Sequence, residues 1–421
     1  MVQKTGFLSP VALAVFACEA SDGLFRPADA SASSDAETLQ VADATSDALD
    51  ASTIADTGQT RLLSQADLGY LGAFRLPAGT FGGSSFAYGG TAMTYRAETQ
   101  SLFMAGHDWD QMVAEVAIPD IRMGAKIADL ATATVVQPFV DATAGKMKTI
   151  GRDDIKVGGL MAYEQKLIGT AYVYYDAAHE QTLSHFTASF NLADASTAKG
   201  MYQVGTLGAG YVSGYMSPIP KEWQNALGGP ALTGQCCIPI VSRTSFGPGV
   251  AVFDPKNLGV DSPLKTVPLL YYTEEHATLG KWGATSKMYN GTSGVGGIIF
   301  ASGTRSVLFM GTHGVGPWCY GTGGSSGGNC YDPSDMYKGN HAYPYVHQVW
   351  AYDVEDFVKV RNGSRKPWEI VPYSIWNFDL PFQTASRAIG SVAYDDASRR
   401  AFVSESNADG DLPIIHVFSV K

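Results

Sequence analysis

Residues 294–353 show most clearly how this chain folds: they open with GVGGIIF at 294–300, continue with VLFM at 307–310 and close with VWAYD at 349–353. Short apolar runs rich in β-branched and aromatic residues, separated by turn residues, predict buried strands. A long loop, residues 312–348, lies between the second and third runs and is rich in Gly, Tyr, His and Cys. This order of strand, turn, strand, loop and strand predicts one antiparallel sheet.

The same pattern recurs along the chain, which predicts a repeat architecture. Each of five units starts with a strand whose first residues are small; these predicted inner strands are residues 88–93, 157–162, 213–216, 295–300 and 389–393. Outer fourth strands are predicted at 134–140, 202–206, 267–272 and 369–376, and a short helix at 221–227. The fifth unit reaches the C-terminus without a fourth strand, and residues 68–74 are predicted to supply it. We therefore predict an all-β fold, a β-propeller of five blades closed by an N-terminal strand that completes the last blade.

In architecture the five units resemble five-bladed propellers, a group that includes sugar-binding lectins and several glycosidase families. The resemblance covers about residues 66–421 and rests on the strand pattern, so it implies the fold and carries no catalytic residue over to this chain. A β-sandwich, a solenoid, and a propeller of six or seven blades are the alternatives, because the third unit is irregular.

The N-terminal residues predict export. Lys4 precedes a mostly apolar segment, residues 7–17, as in a signal peptide. The sequence VFAC at 15–18 resembles a bacterial lipobox, which implies that Cys18 is lipidated; plain secretion is the alternative. The predicted organisation is a signal peptide with lipobox at 1–18, a disordered acidic tether at 19–65 and the propeller at 66–421. The predicted location is extracytoplasmic, either lipid-anchored at the cell surface or in the periplasm, or else secreted.

Charge and cysteine content limit the partners. Of the formal net charge of -11, residues 19–60 carry -8 and residues 61–421 only -4, so the body has no basic excess for a nucleic acid. We expect a monomer that contacts the membrane only through a lipidated Cys18. Four cysteines remain: Cys319 and Cys330 are placed to close a Gly/Ser-rich loop by a disulfide, and the adjacent Cys236 and Cys237 are either a vicinal disulfide or two small buried residues.

Loops between second and third strands emerge on the same face of a propeller as the connections into the inner strands. We therefore expect their side chains to meet at one mouth. The candidate catalytic residues are His107, Asp108, Asp110, His313, His341 and Glu405. The candidate substrate-binding residues are Tyr88, Trp109, Tyr174, Arg243, Trp318, Tyr343 and Arg387. Further polar or sulfur-containing loop residues are Lys156, Tyr172, Gln235, Cys236 and Cys237. Aromatic faces combined with directed hydrogen-bonding groups favour a glycan or another small-molecule ligand.

Several chemistries fit these residues. Glycoside hydrolysis needs two carboxyl groups flanking one bond, and Asp108 or Asp110 with Glu405 is such a pair. A polysaccharide lyase needs a base such as a His or Tyr343, with Arg243 or Arg387 opposite the substrate carboxylate. A metal-dependent enzyme is a further alternative, with a divalent ion bound by His107, His313, His341 and Asp108; no cofactor is specified by the sequence. A non-catalytic propeller that binds sugar or protein is the remaining alternative. The unequal loop lengths of the blades favour a single central site.

Overall fold

A computed structural model describes residues 61–421 of the chain. The predicted signal peptide, the lipidation site Cys18 and residues 19–60 of the predicted tether lie outside the described residues. Within residues 61–421, no helix is both long and apolar enough to cross a membrane.

The described chain is almost entirely β-structure. In chain order the strands are β1 (Leu68–Arg75), β2 (Thr80–Phe81), β3 (Ser84–Ser85), β4 (Met93–Arg96), β5 (Ser101–Ala105), β6 (Val113–Ala117), β7 (Thr134–Val140), β8 (Ile155–Tyr163), β9 (Lys166–Val173), β10 (Leu183–Ser189), β11 (Lys199–Gln203), β12 (Met216–Pro218), β13 (Ala231–Thr233), β14 (Val250–Phe253), β15 (Val267–Leu270), β16 (Gly294–Phe300), β17 (Ser306–Gly314), β18 (Cys319–Thr322), β19 (Lys338–His341), β20 (Tyr345–Asp353), β21 (Ser374–Phe378), β22 (Ile389–Asp395), β23 (Arg400–Asp409) and β24 (Leu412–Val420). The α-helices are α1 (Lys221–Leu227) and α2 (Val354–Arg361). Short 3-10 helices span Gln65–Asp67, Ile127–Asp129, Lys146–Ile150, Ala195–Thr197, Ala209–Tyr211, Val241–Arg243, Pro255–Asn257 and Pro367–Glu369.

Five four-stranded antiparallel sheets form a five-bladed β-propeller, as predicted. Blade 1 is β4-β5-β6-β7, blade 2 is β8-β9-β10-β11, blade 3 is β12-β13-β14-β15, blade 4 is β16-β17-β20-β21, and blade 5 is β22-β23-β24-β1. The N-terminal strand β1 pairs with β24, from Leu68 opposite Val420 to Arg75 opposite Ile414. The predicted closure is therefore confirmed, and the C-terminal strand β24 has a hydrogen-bonded neighbour on each side. Two small hairpins, β2-β3 and β18-β19, lie outside the blades.

Blade 4 is buried on both faces, which explains its uninterrupted apolar runs. In β17, Val307 and Phe309 belong to the core shared with blade 3, whereas Leu308 and Met310 belong to the core shared with blade 5. Successive side chains of a strand point to opposite faces of the sheet. Alternate residues of one strand therefore fill two different cores, and the sequence reads as a continuous apolar segment.

The small residues that start the inner strands are required by the close approach of neighbouring blades. A Cβ atom on Gly158 would lie 1.8 Å from the carbonyl oxygen of Ser213, and one on Gly297 would lie 2.7 Å from Cβ of Val392. Both distances are shorter than atoms tolerate in a packed interior. Glycine at these positions lets the inner strands of adjacent blades meet near the axis.

Some boundaries differ from the sequence predictions. The helix at 221–227 is present as predicted, whereas α2 was not predicted. The inner strand of blade 1 begins at Met93 rather than at residue 88. Residues 61–65, placed at the end of the tether by their composition, are packed on the propeller: Leu63 is buried against blades 4 and 5, and its backbone N–H donates to Ser306 Oγ at 2.8 Å. One leucine in a polar segment is too weak a pattern to predict from the sequence that the folded part begins before residue 66.

The packing at the axis predicts a large difference between two glycines of the inner strands. We expect Gly158→Ala to lower the free energy of unfolding by about 3 kcal/mol, because the new methyl group meets a backbone oxygen that can move only with its blade. Gly294→Ala is the control, since a Cβ there has no neighbour within 4 Å, and its effect should stay within about 0.5 kcal/mol. Urea denaturation of both variants measures the difference; equal stabilities would contradict this account of the axis.

Candidate functional site

The inner strands begin, and the second strands end, on one face of the ring, and a cavity of about 290 Å³ opens there; we call it the mouth. Its lining residues are Thr91, Val157, Gly158, Tyr172, Tyr215, Gln235, Cys236, Cys237, Ile238, Gly294, Val295, Gly296, Ile389, Gly390 and Ser406. All five blades contribute to it. Blades 1 and 4 contribute only residues at the starts of their inner strands, so the expected convergence of all five loops on one opening is present only in part.

A second and larger cavity, of about 420 Å³, lies at the opposite end of the inner strands. Its wall is mostly apolar, with Met93, Met161 and Met216 from three neighbouring blades. Between the two cavities the axis narrows to a void of about 10 Å³, room for about one water molecule. The two ends are therefore separate. We take the mouth as the candidate site because it lies on the face where the long loops emerge and because its wall carries hydroxyl and amide side chains.

The mouth is lined by uncharged groups. Among residues 61–421, no Asp, Glu, Lys, Arg or His side chain contributes to its wall. The polar side chains available in its wall are those of Thr91, Tyr172, Gln235 and Ser406. Tyr215 also lines the mouth, but its hydroxyl is already hydrogen-bonded to Gly249. Burial, together with the nearby Asp108 carboxylate, raises the pKa of Tyr172, so that its hydroxyl keeps its proton at neutral pH. The mouth can thus donate and accept hydrogen bonds without presenting a charge.

Both predicted cysteine pairs are disulfides. Cys319–Cys330 closes the loop of blade 4 around the β18-β19 hairpin, and Cys236–Cys237 joins adjacent residues in the wall of the mouth. The hydroxyl of Tyr289 donates to Sγ of Cys237 at 3.7 Å. The vicinal alternative that the sequence left open is therefore the observed one.

The candidate carboxylates of blade 1 lie beside the mouth rather than in its wall. Asp108 is partly exposed and forms an ion pair with Lys156, with 2.5 Å between Oδ2 and Nζ. Lys156 also donates to the backbone carbonyl of Asp108 at 2.9 Å. Asp110 is exposed and accepts a hydrogen bond from Ser84 Oγ at 2.7 Å. These contacts tie the loop of blade 1 to its neighbours and partly neutralise Asp108.

Exposed aromatic side chains stand on the same face as the mouth. Trp109 is 86% exposed, and Tyr88 and Tyr174 are about half exposed. The His107 ring lies between Tyr88 and Trp109, with centroid distances of 5.5 Å and 5.8 Å. Several exposed apolar side chains grouped on one face form a candidate contact surface for a ligand. The predicted substrate-binding residues Tyr88, Trp109 and Tyr174 are therefore accessible to a ligand larger than the mouth itself.

His313 is placed differently from the sequence prediction. Its ring is fully buried, Nδ1 is hydrogen-bonded to Ser293 Oγ at 2.9 Å, and Nε2 to the carbonyl of Ser286 at 2.8 Å. Burial lowers its pKa to about 4, only partly offset by the hydrogen bond to Ser286. A neutral histidine with both nitrogens in use has no free group for catalysis or for a metal, so it holds the segment before β16 in place.

Glu405 is also inside the protein. It is fully buried, its Oε1 accepts the backbone N–H of Thr384 at 2.7 Å, and its oxygens lie 3.6 Å from His347 Nε2 and 3.4 Å from His416 Nε2. Burial alone would raise the pKa of Glu405, but these neighbours outweigh it and lower the pKa to about 2. Burial lowers the pKa of His416, and the Tyr70 hydroxyl lies 3.1 Å from His416 Nδ1. We therefore assign a neutral His416 that accepts from Tyr70 and directs Nε2–H towards the carboxylate.

His341 holds the loop of blade 4. Its Nδ1 lies 2.9 Å from Asp332 Oδ2, and its Nε2 lies 3.0 Å from the carbonyls of Gly321 and Tyr337. Every partner is an acceptor when Asp332 is ionised, so both ring nitrogens donate and the imidazole is charged. Burial opposes this charge, but the hydrogen bond to Asp332 and those to the two carbonyls raise the pKa of His341 above its usual value.

The remaining candidates are divided between scaffold and surface. Arg243 is buried, with Nε donating to the Pro239 carbonyl at 2.6 Å and Nη2 to the Val173 carbonyl at 2.7 Å, so it joins blade 3 to blade 2. Tyr343 packs in the aromatic cluster of the blade 4 loop, 5.9 Å from Tyr331 between centroids. Trp318 and Arg387 are partly exposed. Neither Trp318, Arg387 nor Tyr343 lines the mouth.

The histidines do not converge on a metal. The part of the chain that the structure describes contains no group of three or more His, Cys, Asp or Glu side chains placed to hold a metal ion. His313 and His341, both suggested as ligands, have their nitrogens occupied by different hydrogen-bond partners.

The side chains that line the mouth were only partly identified in the sequence. Tyr172, Gln235 and the adjacent cysteines were recognised as loop residues, whereas Thr91 and Ser406 were not singled out. Thr91 lies just before β4, and Ser406 lies near the end of β23. Their positions at an inner-strand start and at a second-strand end are the signal that could have identified them, because those are the positions that face the opening.

Comparison with known proteins assigns no family. No protein-family profile matches the sequence, and no curated protein matches it. Among solved structures, the chain is similar to an α-L-arabinofuranosidase from Lactobacillus brevis (8% identity, 80% of this chain and 92% of that chain, TM-score 0.38). It is also similar to a glycosyl hydrolase from Bacteroides ovatus (10% identity, 85% of this chain and 96% of that chain, TM-score 0.35). A third similar structure is the periplasmic gluconolactonase of Pseudomonas aeruginosa (10% identity, 76% of this chain and 67% of that chain, TM-score 0.30). Scores this low carry no argument about activity, which has to come from the residues of the mouth.

The contacts of His341 predict that the blade 4 loop responds to pH. The raised pKa of His341 gives stability that is complete below its unfolded value of 6.5 and is lost as pH rises through the folded value. Hydrogen bonds from Ser334, Tyr345 and His341 outweigh burial and lower the pKa of Asp332, so its contribution is present above 3.8 and is lost at lower pH. We expect hydrogen exchange of β18 and β19, corrected for intrinsic rate, to be slower at about pH 6 than at about pH 9. In His341→Gln this difference should disappear; its persistence would rule out His341 as the cause.

Glu405 is expected to act on stability rather than on turnover. Its pKa in the folded protein is below the usual 4.5, so its contribution is present above that pH and is lost as pH falls through about 2. A shift of that size corresponds to roughly 3 kcal/mol. Glu405→Gln should therefore unfold at lower urea concentration than wild type at neutral pH, and the gap should close in strong acid. Glu98→Gln, at an exposed position, is the control and should change stability by less than about 0.5 kcal/mol.

Proposed function

We propose that this protein is an extracytoplasmic carbohydrate-binding β-propeller whose mouth receives a neutral sugar unit of a glycan. The observation that carries the proposal is the wall of the mouth, where hydroxyl and amide groups alternate with apolar surface and, within residues 61–421, no ionisable acid or base is present apart from tyrosine. A sugar ring has the same two kinds of surface, hydroxyl groups at its edge and C–H groups on its faces.

The exposed aromatics support a ligand that extends beyond the mouth. Trp109, Tyr88 and Tyr174 are on the same face and are accessible, so further sugar units of a glycan can lie against their rings. Each aromatic ring offers a large, rigid apolar surface that loses little conformational entropy on binding. A small uncharged molecule would use the mouth alone and would leave these rings without a role.

Glycan cleavage is the alternative that the side chains support less well. Hydrolysis by acid/base chemistry requires two carboxyl groups on either side of the scissile bond. Glu405 is buried with His347 and His416, and Asp108 is paired with Lys156 beside the mouth. A lyase would need a cation facing the substrate carboxylate, and Arg243 has its guanidinium bonded to backbone carbonyls. Binding without cleavage therefore fits the arrangement better.

The location is proposed from the cysteines together with the N-terminal sequence. Two disulfides, Cys236–Cys237 and Cys319–Cys330, are typical of proteins outside the cytoplasm. We propose that residues 1–18 direct export, that Cys18 carries a lipid anchor and that the acidic segment which follows is a tether. On this view a monomeric propeller stands off the membrane and binds glycans with its mouth.

Binding can be tested with a panel of neutral and acidic oligosaccharides by calorimetry. We expect a neutral oligosaccharide to bind, and Trp109→Ala to weaken it by about tenfold through loss of ring stacking. Trp368→Ala is the matched control, because Trp368 is 44% exposed but lies between the third and fourth strands of blade 4, in a connection that does not lead to the mouth; its affinity should equal that of wild type.

The same samples separate the two functions. Intact oligosaccharide after prolonged incubation supports a binding protein, whereas shortened products abolished by Asp108→Asn would establish the enzymatic alternative. Failure of every neutral sugar to bind would overturn the proposed function.

A further inference from the structure

The Cys236–Cys237 disulfide adds little of the stability that a structural cross-link normally gives to a fold. A disulfide stabilises a fold mainly by restricting the unfolded chain, and the effect grows with the number of residues in the closed loop. Cys319–Cys330 spans a sequence separation of 11, whereas Cys236–Cys237 spans a separation of 1. Joining neighbours closes almost no loop, so the contribution of this bond to global stability is small. Its role has to be local.

The place of this disulfide is the wall of the mouth. Both cysteines line the cavity, together with Gln235 on one side and Ile238 on the other. The segment is held firmly: Cys236 forms a backbone bridge with Ser245, and the backbone N–H of Gly234 donates to the Tyr215 carbonyl at 3.0 Å. The disulfide is therefore a fixed part of the cavity wall rather than a mobile loop tip, with Cys236 5% exposed and Cys237 partly exposed.

The order of the blades in the ring places sulfur and hydroxyl groups on opposite sides of the mouth. The disulfide comes from blade 3, whereas Thr91 leads into blade 1 and Ser406 belongs to blade 5. In a ring of five, blades 5 and 1 are the pair opposite blade 3. A ligand in the mouth thus has sulfur on one side and hydroxyl groups on the other. Disulfide sulfur is polarisable and carries no N–H or O–H donor, so it suits C–H groups better than hydroxyls.

We propose that the Cys236–Cys237 disulfide is the ligand-contacting platform of the mouth and packs against the C–H face of a neutral sugar ring. The hydroxyl edge of the ring is then directed to Thr91 and Ser406, and Tyr172 of blade 2 stands at its side. This inference rests on the proposed function, since it names the side chains that select the sugar. It makes an intact disulfide a requirement for affinity rather than for folding.

The first test compares two double variants. Cys236→Ser with Cys237→Ser removes the platform while keeping side chains of similar size, and Cys319→Ser with Cys330→Ser removes the other disulfide. We expect the first to lose at least about tenfold in affinity for the neutral oligosaccharide with little change in melting temperature. The second should keep wild-type affinity, because its cysteines do not line the mouth. Equal affinity of the first variant and wild type would overturn the inference.

A second test needs no change at the platform and works even if the first variant does not fold. In the Cys319→Ser/Cys330→Ser protein, a dithiol reductant can break only the Cys236–Cys237 bond; two cysteine thiols form and the dithiol becomes a disulfide. We expect bound sugar to slow this reduction several-fold, as measured by thiol titration, because the ligand covers the sulfur atoms. Reduction should weaken sugar binding, and reoxidation should restore it.

The outcomes separate this inference from the proposed function. One outcome is that wild type binds the sugar, with lower affinity in Trp109→Ala, while the rate of disulfide reduction is the same with and without sugar. That result would contradict only the proposal that the disulfide contacts the ligand. If wild type binds no neutral sugar, the proposed function fails and the platform fails with it.

Discussion

The contact of backbone with backbone around the propeller axis is the constraint on which the rest of the structure depends. Gly158 and Gly297 lie so close to the next blade that a single added carbon would collide with it. This approach leaves a void of only about 10 Å³ between the two ends of the axis. The ring is thereby closed in its middle, and the two cavities are separate sites with different walls. A ligand that enters the mouth meets the starts of the inner strands and the loops, and goes no further.

The same compactness explains why so many ionisable loop residues serve the scaffold. Long connections that are packed against the blades bury polar groups, and a buried polar group without a partner is costly. His313 and His341 have partners for both ring nitrogens. Glu405 and Arg243 are also held by backbone groups, although within residues 61–421 Glu405 Oε2 and Arg243 Nη1 have no hydrogen-bond partner. Residues whose chemistry suits catalysis are used here to hold loops in place. Their presence on one face of the propeller reflects the amount of loop structure that has to be anchored there.

What reaches the ligand space is therefore a neutral surface. Backbone, hydroxyl, amide, aromatic and disulfide groups line the mouth, and the ion pair of Asp108 and Lys156 stands beside it. The exposed ring of Trp109 continues this surface outwards. Such a surface suits the recognition of shape, C–H faces and hydroxyl geometry, which is why we propose carbohydrate binding for this protein. The asymmetry of the loops favours one central ligand over a repeated site on each blade.

Local sequence patterns were sufficient to predict the all-β class, the five units, the helix at 221–227 and the closure by an N-terminal strand. These features follow from local patterns: apolar runs between turns, small residues where inner strands begin, and a last unit that lacks one strand. Which residues face the opening, in contrast, depends on how the blades pack together. Glu405 and Ser406 are neighbours in β23, yet Glu405 is sealed between blades and Ser406 lines the mouth. Successive residues of a strand point to opposite sides, and which side is open depends on how adjacent blades pack. That packing joins residues far apart in the chain, such as Glu405 with His347 and Gly158 with Ser213, so no local pattern contains it.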